Sequence, residues 1–161
     1  MTTIQFKIHH IEEMQQFAFD ITQFAFPTQV IALNGDLGAG KTTFTKGIGQ
    51  ALQVGRVINS PTFTIMKVYD AHQPIHGIQQ LYHLDVYRLS DSTTDFELEE
   101  YFYQQGLTVI EWANIIEDLL PAETWYINIY RLSDCERIVE CKNMDESLMK
   151  YLGAHYEIIN R

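Results

Sequence analysis

The segment from Gly35 to Thr42, with the sequence Gly-Asp-Leu-Gly-Ala-Gly-Lys-Thr, constrains the fold of this chain more than any other feature. It matches the pattern G-x-x-x-x-G-K-[S/T] at every fixed position. The continuous apolar run at 30–33 precedes it, as expected of a strand buried on both faces, and a helix is predicted from Lys41 to about Leu52. A strand, a glycine-rich loop and a helix in this order predict a phosphate-binding loop (P-loop) at the start of an α/β unit.

The residue types in this loop indicate a site for ATP and Mg²⁺. Glycines let the backbone curve closely around anionic oxygens and point successive N–H groups inward, and the first turn of the following helix adds its positive end. Lys41 can reach the β- and γ-phosphates, the Thr42 hydroxyl can bind magnesium, and Thr43 can add a donor towards the α-phosphate. The predicted nucleotide-binding residues of the loop and helix are Asp36, Gly38, Ala39, Gly40, Lys41, Thr42 and Thr43.

Two acidic residues, Asp85 and Glu111, are candidates to face the loop, because such a site needs an acid at a nearby strand end to hold magnesium or position water. Alternation puts His83, Asp85 and Tyr87 on one face of a strand. Glu111 ends the apolar run 107–110, and the carboxyl end of a buried parallel strand lies where ligands bind in α/β sheets. The predicted catalytic residues are Lys41, Asp85 and Glu111. Which of the two acids touches the metal directly stays open.

The rest of the chain predicts an α/β fold of the P-loop NTPase type, with a mixed sheet that has a parallel centre and antiparallel strands at the edges. The other predicted elements are an edge strand at Ile4–Ile8, a helix from Ile11 to Phe24, a hairpin of Thr62–Tyr69 with Leu81–Leu89 around a long loop, a short acidic helix through Phe102, a brief helix before Pro121, a hairpin of Trp125–Leu132 with Arg137–Cys141, and a last helix at Asp145–Leu152. His72 and His76 have metal-like spacing, but they lie in the predicted long loop without a third ligand. No repeat or linker interrupts the chain, so residues 1–161 are expected to form a single domain.

The charge balance limits the partners of this chain. The sequence has 11 Lys and Arg against 21 Asp and Glu, a formal net charge of −10. A chain that grips nucleic acid normally presents a basic face, because counterion release supplies most of that affinity. We therefore expect no direct high-affinity nucleic-acid binding, although an acidic face could dock onto a basic protein.

Other features favour a soluble cytoplasmic protein with no membrane association. No apolar run approaches the ~20 residues of a membrane span, and the N-terminus lacks the pattern of a signal peptide. Cys135 and Cys141 do not make a disulfide framework, which suits a reducing compartment.

Four motifs together point to one family. In chain order they are Gly35-Asp36-Leu37-Gly38-Ala39-Gly40-Lys41-Thr42-Thr43-Phe44, Ser60-Pro61-Thr62-Phe63-Thr64, His83-Leu84-Asp85-Val86-Tyr87-Arg88-Leu89 and Ile110-Glu111-Trp112-Ala113. They resemble the bacterial tRNA threonylcarbamoyladenosine biosynthesis ATPase family, TsaE, over roughly residues 10 to 132. Four ordered motifs are far more specific than the P-loop alone.

The resemblance implies a P-loop fold and a weak ATPase that works beside two partner proteins, TsaB and TsaD, and meets tRNA only through that complex. In the family, TsaD transfers the threonylcarbamoyl group to adenosine 37 of tRNA, and ATP turnover supports that cycle. Carried over by motif, Thr42 and Glu111 would bind magnesium, and Asp85 would support the metal or the water. Thr62 would contact the γ-phosphate side, and Trp112 would help to position Glu111 or the nucleotide.

Two features depart from the family pattern. Residues 70 to 80 are long for the connecting loop, which leaves the hairpin geometry open. His9-His10-Ile11 stands where members often have a Ser or Thr helix cap near the nucleotide base, which leaves the adenine contacts open.

Two other functions are compatible with the P-loop. A stand-alone small-molecule kinase would need arginines on a lid, and the five arginines of this chain do not cluster in sequence. A nucleotide-dependent switch that barely hydrolyses ATP would use the same residues as an ATPase, so stimulation by a protein partner is what distinguishes the two.

Overall fold

The structure, a computed structural model, describes residues 2–36, 38–59, 66–86 and 106–160, apart from the side chains of 114–116. In chain order the elements are β1 (Thr3–Ile8), α1 (Ile11–Thr22), β2 (Val30–Gly35), α2 (Lys41–Leu52), β3 (Met66–Ile75), β4 (Ile78–Asp85), β5 (Gly106–Glu111), a 3₁₀ helix (Ala113–Leu119), β6 (Trp125–Arg131), β7 (Arg137–Lys142), α3 (Glu146–His155) and β8 (Glu157–Asn160). The predicted short helix through Phe102, the first residues of the hairpin strand from Thr62 and the last residues of its partner to Leu89 lie outside the described residues.

All of these strands form one sheet in the order β3-β4-β5-β2-β6-β7-β1-β8. The pairs β4–β5, β5–β2 and β2–β6 are parallel, and the pairs β3–β4, β6–β7, β7–β1 and β1–β8 are antiparallel. The predicted mixed sheet with a parallel centre is confirmed. Because β2 lies between two parallel neighbours, the loop that follows it emerges at the carboxyl edge of the parallel strands, where ligands bind in such sheets.

Strand β2 is buried on both faces, which explains its continuous apolar run. Ile31 and Leu33 enter the larger core, which the three α-helices share with the sheet. Val30 and Ala32 enter a smaller core on the opposite face, together with Ala113 of the 3₁₀ helix. Burial of Val30, Ile31 and Leu33 contributes about 1.5–3 kcal/mol each, so β2 is a rigid base for the loop.

Helices α1 and α2 pack closely on the same face of the sheet. A Cβ at Gly47 would lie 2.3 Å from the Gln15 carbonyl oxygen and 2.8 Å from the Ala18 Cβ. Only a glycine allows this approach, which holds the start of α1 beside the P-loop.

The prediction that the first strand lies at an edge is wrong. Strand β1 pairs with β7 on one side and with β8 on the other, for example Phe6 with Val139 and with Ile158. Strand β8 has only four residues, which is too short for a clear alternation pattern, and it follows a helix that extends to His155 rather than ending at Leu152. The edge prediction failed because the covering strand comes from the other end of the chain.

The predicted antiparallel hairpin is confirmed for β3 and β4, but its long loop is wrong. The strands continue through most of the expected loop and join at His76 and Gly77, which both have positive φ, 51° and 86°. Two positive φ values are what a type I′ hairpin turn requires. Pro74 is tolerated within β3 because β3 is an edge strand, where a missing N–H leaves no neighbour unpaired.

Candidate nucleotide-binding site

The loop between β2 and α2 has the backbone of an anion-binding turn. Gly38 and Gly40 adopt φ values of 80° and 116°, which residues with a Cβ rarely reach. The Ala39 N–H donates to the Asp36 carbonyl oxygen at 2.9 Å, which closes the turn. The first turn of α2 carries no acidic side chain, and its N-cap, Gly40, places no side chain over the free N–H groups. These N–H groups and the helix dipole therefore favour an anionic ligand.

Lys41 begins α2 and is buried, with 8% of its surface exposed. Its Nζ donates to the Gly35 carbonyl oxygen at 2.7 Å and lies 3.8 Å from Glu111 Oε1. The same ammonium lies 4.4 Å from the ring centroid of Trp112, in the geometry of a cation–π contact. The P-loop lysine is thus held at the ends of β2 and β5.

Alternation along β5 explains why Glu111 meets Lys41. Leu107 and Val109 point into the core beneath the α-helices, so Glu111, two residues further on, points to the same side. Glu111 is 3% exposed. The next residue, Trp112, has φ 60°, a conformation that is uncommon for a bulky side chain and that is found disproportionately at functional sites.

Strand β4 brings the second predicted acid to the same edge. Asp85 pairs in register with Glu111, and His83 pairs with Val109. The His83 side chain is fully buried, and its Nε2 lies 2.5 Å from Glu111 Oε2. The sequence had placed His83 on the face of Asp85 but had given it no role.

Arg137, the first residue of β7, fixes the P-loop from its other side. Its Nε donates to the Ala39 carbonyl oxygen at 2.8 Å and its Nη2 to the Gly38 carbonyl oxygen at 3.3 Å. Its Nη1 donates to the carbonyl oxygens of Ser133 and Glu136 in the β6–β7 turn, at 2.7 and 2.9 Å. No spacing in the sequence had linked Arg137 to the loop, because the two are about a hundred residues apart.

Two hollows flank the P-loop. One, of about 320 Å³, is lined by Gly35, Asp36, Trp112, Asn128 and Tyr130. The other, of about 130 Å³, lies between the start of α1, the loop glycines and the β6–β7 turn, and its lining includes His10, Ile11, Met14, Thr43 and Asp134. His10 is the N-cap of α1 and its Nδ1 accepts from the Glu13 N–H at 3.2 Å, so a histidine does the capping that Ser or Thr would do.

A row of hydrogen-bonded side chains crosses the sheet face opposite the α-helices. Gln5, Glu140, Asn128 and Asn34 lie on four adjacent strands and are register partners in turn. Gln5 Nε2 donates to Glu140 Oε2 at 2.8 Å, Asn128 Nδ2 donates to Glu140 Oε1 at 3.0 Å, and Asn34 Nδ2 donates to Asn128 Oδ1 at 3.2 Å. Burial raises the pKa of Glu140, but the hydrogen bonds from Asn128 and Gln5 and the nearby Lys142 ammonium outweigh it and hold that pKa below its ordinary value.

The predicted site residues therefore meet at one edge of the sheet, with one exception. Lys41, Thr42 and Thr43 open α2, Asp85 and Glu111 end adjacent strands, and Trp112 follows. Thr62 lies outside the described residues.

The residues present fit a magnesium nucleotide. In the described part of the chain, no group of three or more His, Cys, Asp or Glu side chains is placed to hold a metal on its own, and His72 and His76 are not joined in one. Mg²⁺ is commonly held by one or two protein oxygens plus substrate phosphates, and Thr42 and Glu111 offer oxygens next to the anion-binding loop.

Comparisons with known proteins agree with this geometry. A family model described as threonylcarbamoyl adenosine biosynthesis protein TsaE matches residues 8–139. The tRNA threonylcarbamoyladenosine biosynthesis protein TsaE of Bacillus subtilis is 43% identical over 99% of this chain and 100% of its own length. The protein of the same name from Rickettsia bellii is 34% identical over 82% of this chain and 90% of its own length. A crystal structure of Bacillus subtilis YdiB superimposes with a TM-score of 0.75, at 39% identity, and covers 96% of both chains.

Proposed function

Since the chain belongs to the TsaE family, with a role in tRNA threonylcarbamoyladenosine biosynthesis, we propose that it serves that pathway as a slow ATPase that partner proteins stimulate. The observation that carries the proposal is the meeting of Lys41 with Glu111, 3.8 Å apart, at the mouth of the P-loop. A buried lysine and a buried carboxylate at a helix N-terminus are the parts that phosphoryl transfer from a magnesium nucleotide needs.

The triphosphate of ATP would lie along the N–H groups of the P-loop. Lys41 would exchange its bond to the Gly35 carbonyl oxygen for the β- and γ-phosphates, and its ammonium would offset the charge that grows on them. Thr42 and Glu111 would hold Mg²⁺, which supplies a Lewis acid at the phosphate oxygens. Asp85, next to Glu111 across the strand pair, would orient the attacking water or support the metal.

The hollow of about 130 Å³ beside α1 is the proposed position of the adenine ring. Ile11 and Met14 offer apolar surface, and the hollow continues from the loop glycines Gly38 and Gly40. In this arrangement the His10 cap takes the place of the family's Ser or Thr near the base.

The proposed low basal rate is supported by how the three described arginines are used, while Arg88 and Arg161 lie outside the described residues. In the part of the chain that the structure describes, Arg56 donates to the Val68 carbonyl oxygen, Arg131 donates to Asp134, and Arg137 holds P-loop carbonyl oxygens. Each of these guanidinium groups is already bonded away from the phosphate position. An arginine aimed at the transferred phosphoryl group is worth 10³–10⁵ in rate, so we propose that partner contact completes the site. By family resemblance the partners are TsaB and TsaD, and tRNA is met only through their complex.

Two substitutions test the roles of the site residues. Lys41→Ala should abolish ATP binding because it removes the proposed direct contact to the β- and γ-phosphates, whereas Glu111→Ala keeps that contact and should preserve binding better than turnover. Calorimetric titration with ATP and a phosphate-release assay measure the two quantities. Lys46→Ala, which removes an exposed lysine from the same helix, is the matched control and should change neither. Equal loss of binding in the Lys41 and Glu111 variants would contradict this division of roles.

Partner stimulation is tested by phosphate release with and without purified TsaB and TsaD. Strong stimulation by the pair supports a regulated ATPase. Clear ATP binding without stimulation would reject the partner-dependent cycle, and turnover only with a small-molecule acceptor would favour a kinase.

A further inference from the structure

His83 is a fully buried histidine whose position is set by strand β4. Its neighbours Tyr82 and Leu84 point into the smaller core, so alternation turns His83 towards the face that carries α2. There its Nε2 meets Glu111 Oε2 at 2.5 Å. A buried polar side chain costs free energy unless it is paired, so this bond accounts for a histidine at a position suited to an apolar residue.

The ring has one hydrogen-bond partner among the described residues. Nε2 lies beside Glu111 Oε2, and a carboxylate oxygen accepts, so the Nε2 N–H is the donor of this bond. Nδ1 is buried and has no hydrogen-bond partner among the described residues. The bond to Glu111 is therefore the polar contact that orients the ring.

The two oxygens of Glu111 are divided between two neighbours. His83 occupies Oε2, and Oε1 faces Lys41 Nζ at 3.8 Å, beside the P-loop. Asp85 is the register partner of Glu111 on β4, so two carboxylates end adjacent strands, where like charges repel. A donor on Oε2 fixes the side-chain torsion and keeps Oε1 turned towards the nucleotide.

We propose that His83 is a positioning residue for Glu111: its hydrogen bond to Oε2 presents Oε1 to the magnesium ion of the bound nucleotide. This rests on the proposed function, because it assigns His83 to the metal side of that same site. In this proposal His83 acts through Glu111 and does not itself contact the nucleotide or the metal. Partners that orient a metal-binding side chain in this way typically change metal affinity about 10–100-fold when they are removed.

Two amide substitutions that differ by one methylene test the proposal. The amide of His83→Gln can reach the position of Nε2 and donate to Glu111, whereas the amide of His83→Asn ends near the position of Nδ1 and cannot. ADP affinity is measured by calorimetry over a series of MgCl₂ concentrations and again in EDTA. The quantity compared is the MgCl₂ concentration that gives half of the full magnesium-dependent gain in ADP affinity. We expect this concentration to rise about tenfold or more in His83→Asn and to stay within about threefold of the unmodified protein in His83→Gln. ADP affinity in EDTA should stay within about twofold in both.

Thr108→Val is the matched control. It removes a buried polar group from β5, the strand that also carries Glu111, but from the opposite face of the sheet. It should leave the magnesium dependence unchanged. Equal magnesium dependence in the Gln and Asn variants, whether both are normal or both impaired, would overturn the role of His83. An unmodified protein whose ADP affinity ignores magnesium would also overturn the role of His83, whereas a protein that binds no adenine nucleotide at all would overturn the proposed function.

If His83→Asn does not fold, the unmodified protein still decides the question. Long-range ¹⁵N correlation of the imidazole in the ligand-free protein should show hydrogen on Nε2. Hydrogen on Nδ1 with a bare Nε2 would overturn the proposal, because that ring cannot donate to Glu111.

Discussion

Gly47 shows how one missing side chain positions the proposed nucleotide site. It lies in α2 against Gln15 and Ala18 of α1, at distances that leave no room for a Cβ. The start of α1 is thereby held close enough to α2 for Ile11 and Met14 to line the hollow beside the P-loop. Gly47 lies within α2 and has no positive φ. The fold therefore requires glycine here because no side chain fits, and not because the backbone conformation is unusual.

Gly47→Ala should therefore destabilise the protein although alanine is the better helix former. Alanine gains about 1 kcal/mol of helix propensity over glycine. Overpacking a tight interface costs about 1–3 kcal/mol. We expect the cost to be larger here because the added Cβ would meet the Gln15 backbone, which cannot move aside easily. Thermal unfolding should show a Tm lower by several degrees. Gly153→Ala in α3 is the control: its Cβ would meet the flexible end of Ile158 at 3.2 Å, so its Tm should stay level or rise. A Gly47 variant as stable as this control would contradict the interpretation.

At the scale of elements, the β6–β7 hairpin acts as a brace for the P-loop. Arg137 ties the carbonyl oxygens of Gly38 and Ala39 to those of the hairpin turn. Because Arg137 holds these two carbonyl oxygens, this part of the loop keeps its shape without a ligand, which suits the proposed phosphate site. A preformed loop binds with less loss of conformational entropy.

Arg137→Met keeps the aliphatic stem but removes all of these donors. We expect ATP affinity to fall about tenfold, which corresponds to about 1.4 kcal/mol, with little change in Tm, and calorimetric titration measures it. Arg131→Met is the control on the same hairpin, since Arg131 bonds only to the exposed Asp134 among the described residues, and it should bind normally. Unchanged affinity in the Arg137 variant would show that the loop holds its own shape.

The hydrogen-bonded row across β1, β7, β6 and β2 predicts a pH dependence of stability. The folded pKa of Glu140 is depressed, so its contribution is present above the unfolded pKa and is lost as the pH falls through the lower folded value. Glu140→Gln should lower the free energy of unfolding by about 1–3 kcal/mol at pH 7, because hydrogen bonds to a charged acceptor are replaced. The difference between the two proteins should shrink below about pH 4, near the unfolded pKa. A constant difference from pH 7 to pH 3.5 in denaturant unfolding would contradict this account.

The whole molecule is strongly acidic, and this limits how it can take part in tRNA modification. Its net charge of −10 repels a polyanion such as tRNA. No helix in the described part of the chain is long and apolar enough to cross a membrane. Because of its negative charge, the chain is expected to meet tRNA through other proteins.

The isolated chain should bind tRNA only weakly. At about 150 mM salt we expect a Kd above 10 μM in fluorescence anisotropy, because few phosphates can be neutralised. Addition of TsaB and TsaD should bring the chain onto tRNA in the same assay. Submicromolar binding by the chain alone, with a steep salt dependence, would reject this expectation.

The sequence by itself determined the local units and the faces of the strands. The buried strand, the glycine-rich loop and helix α2 were predictable because hydrophobic spacing and glycine content fix the backbone within one short segment. Glu111 was predictable because it follows a buried run, and alternation gives its direction. The short His76–Gly77 turn was missed because Pro74 and Gly77 together suggested a long loop, whereas the edge position of β3 tolerates Pro74 and Gly77 lies in the turn itself.

The tertiary structure alone decided which distant residues complete the site. His83 bonds to Glu111 across 28 positions, Arg137 holds Ala39 across 98, and β8 covers β1 from the opposite end of the chain. Such pairs depend on which strands become neighbours in the sheet, and that choice is set by the burial of whole faces and by chain connections. The spacing of residues within one segment does not indicate which strands become neighbours, because the same local pattern is compatible with many different neighbouring strands.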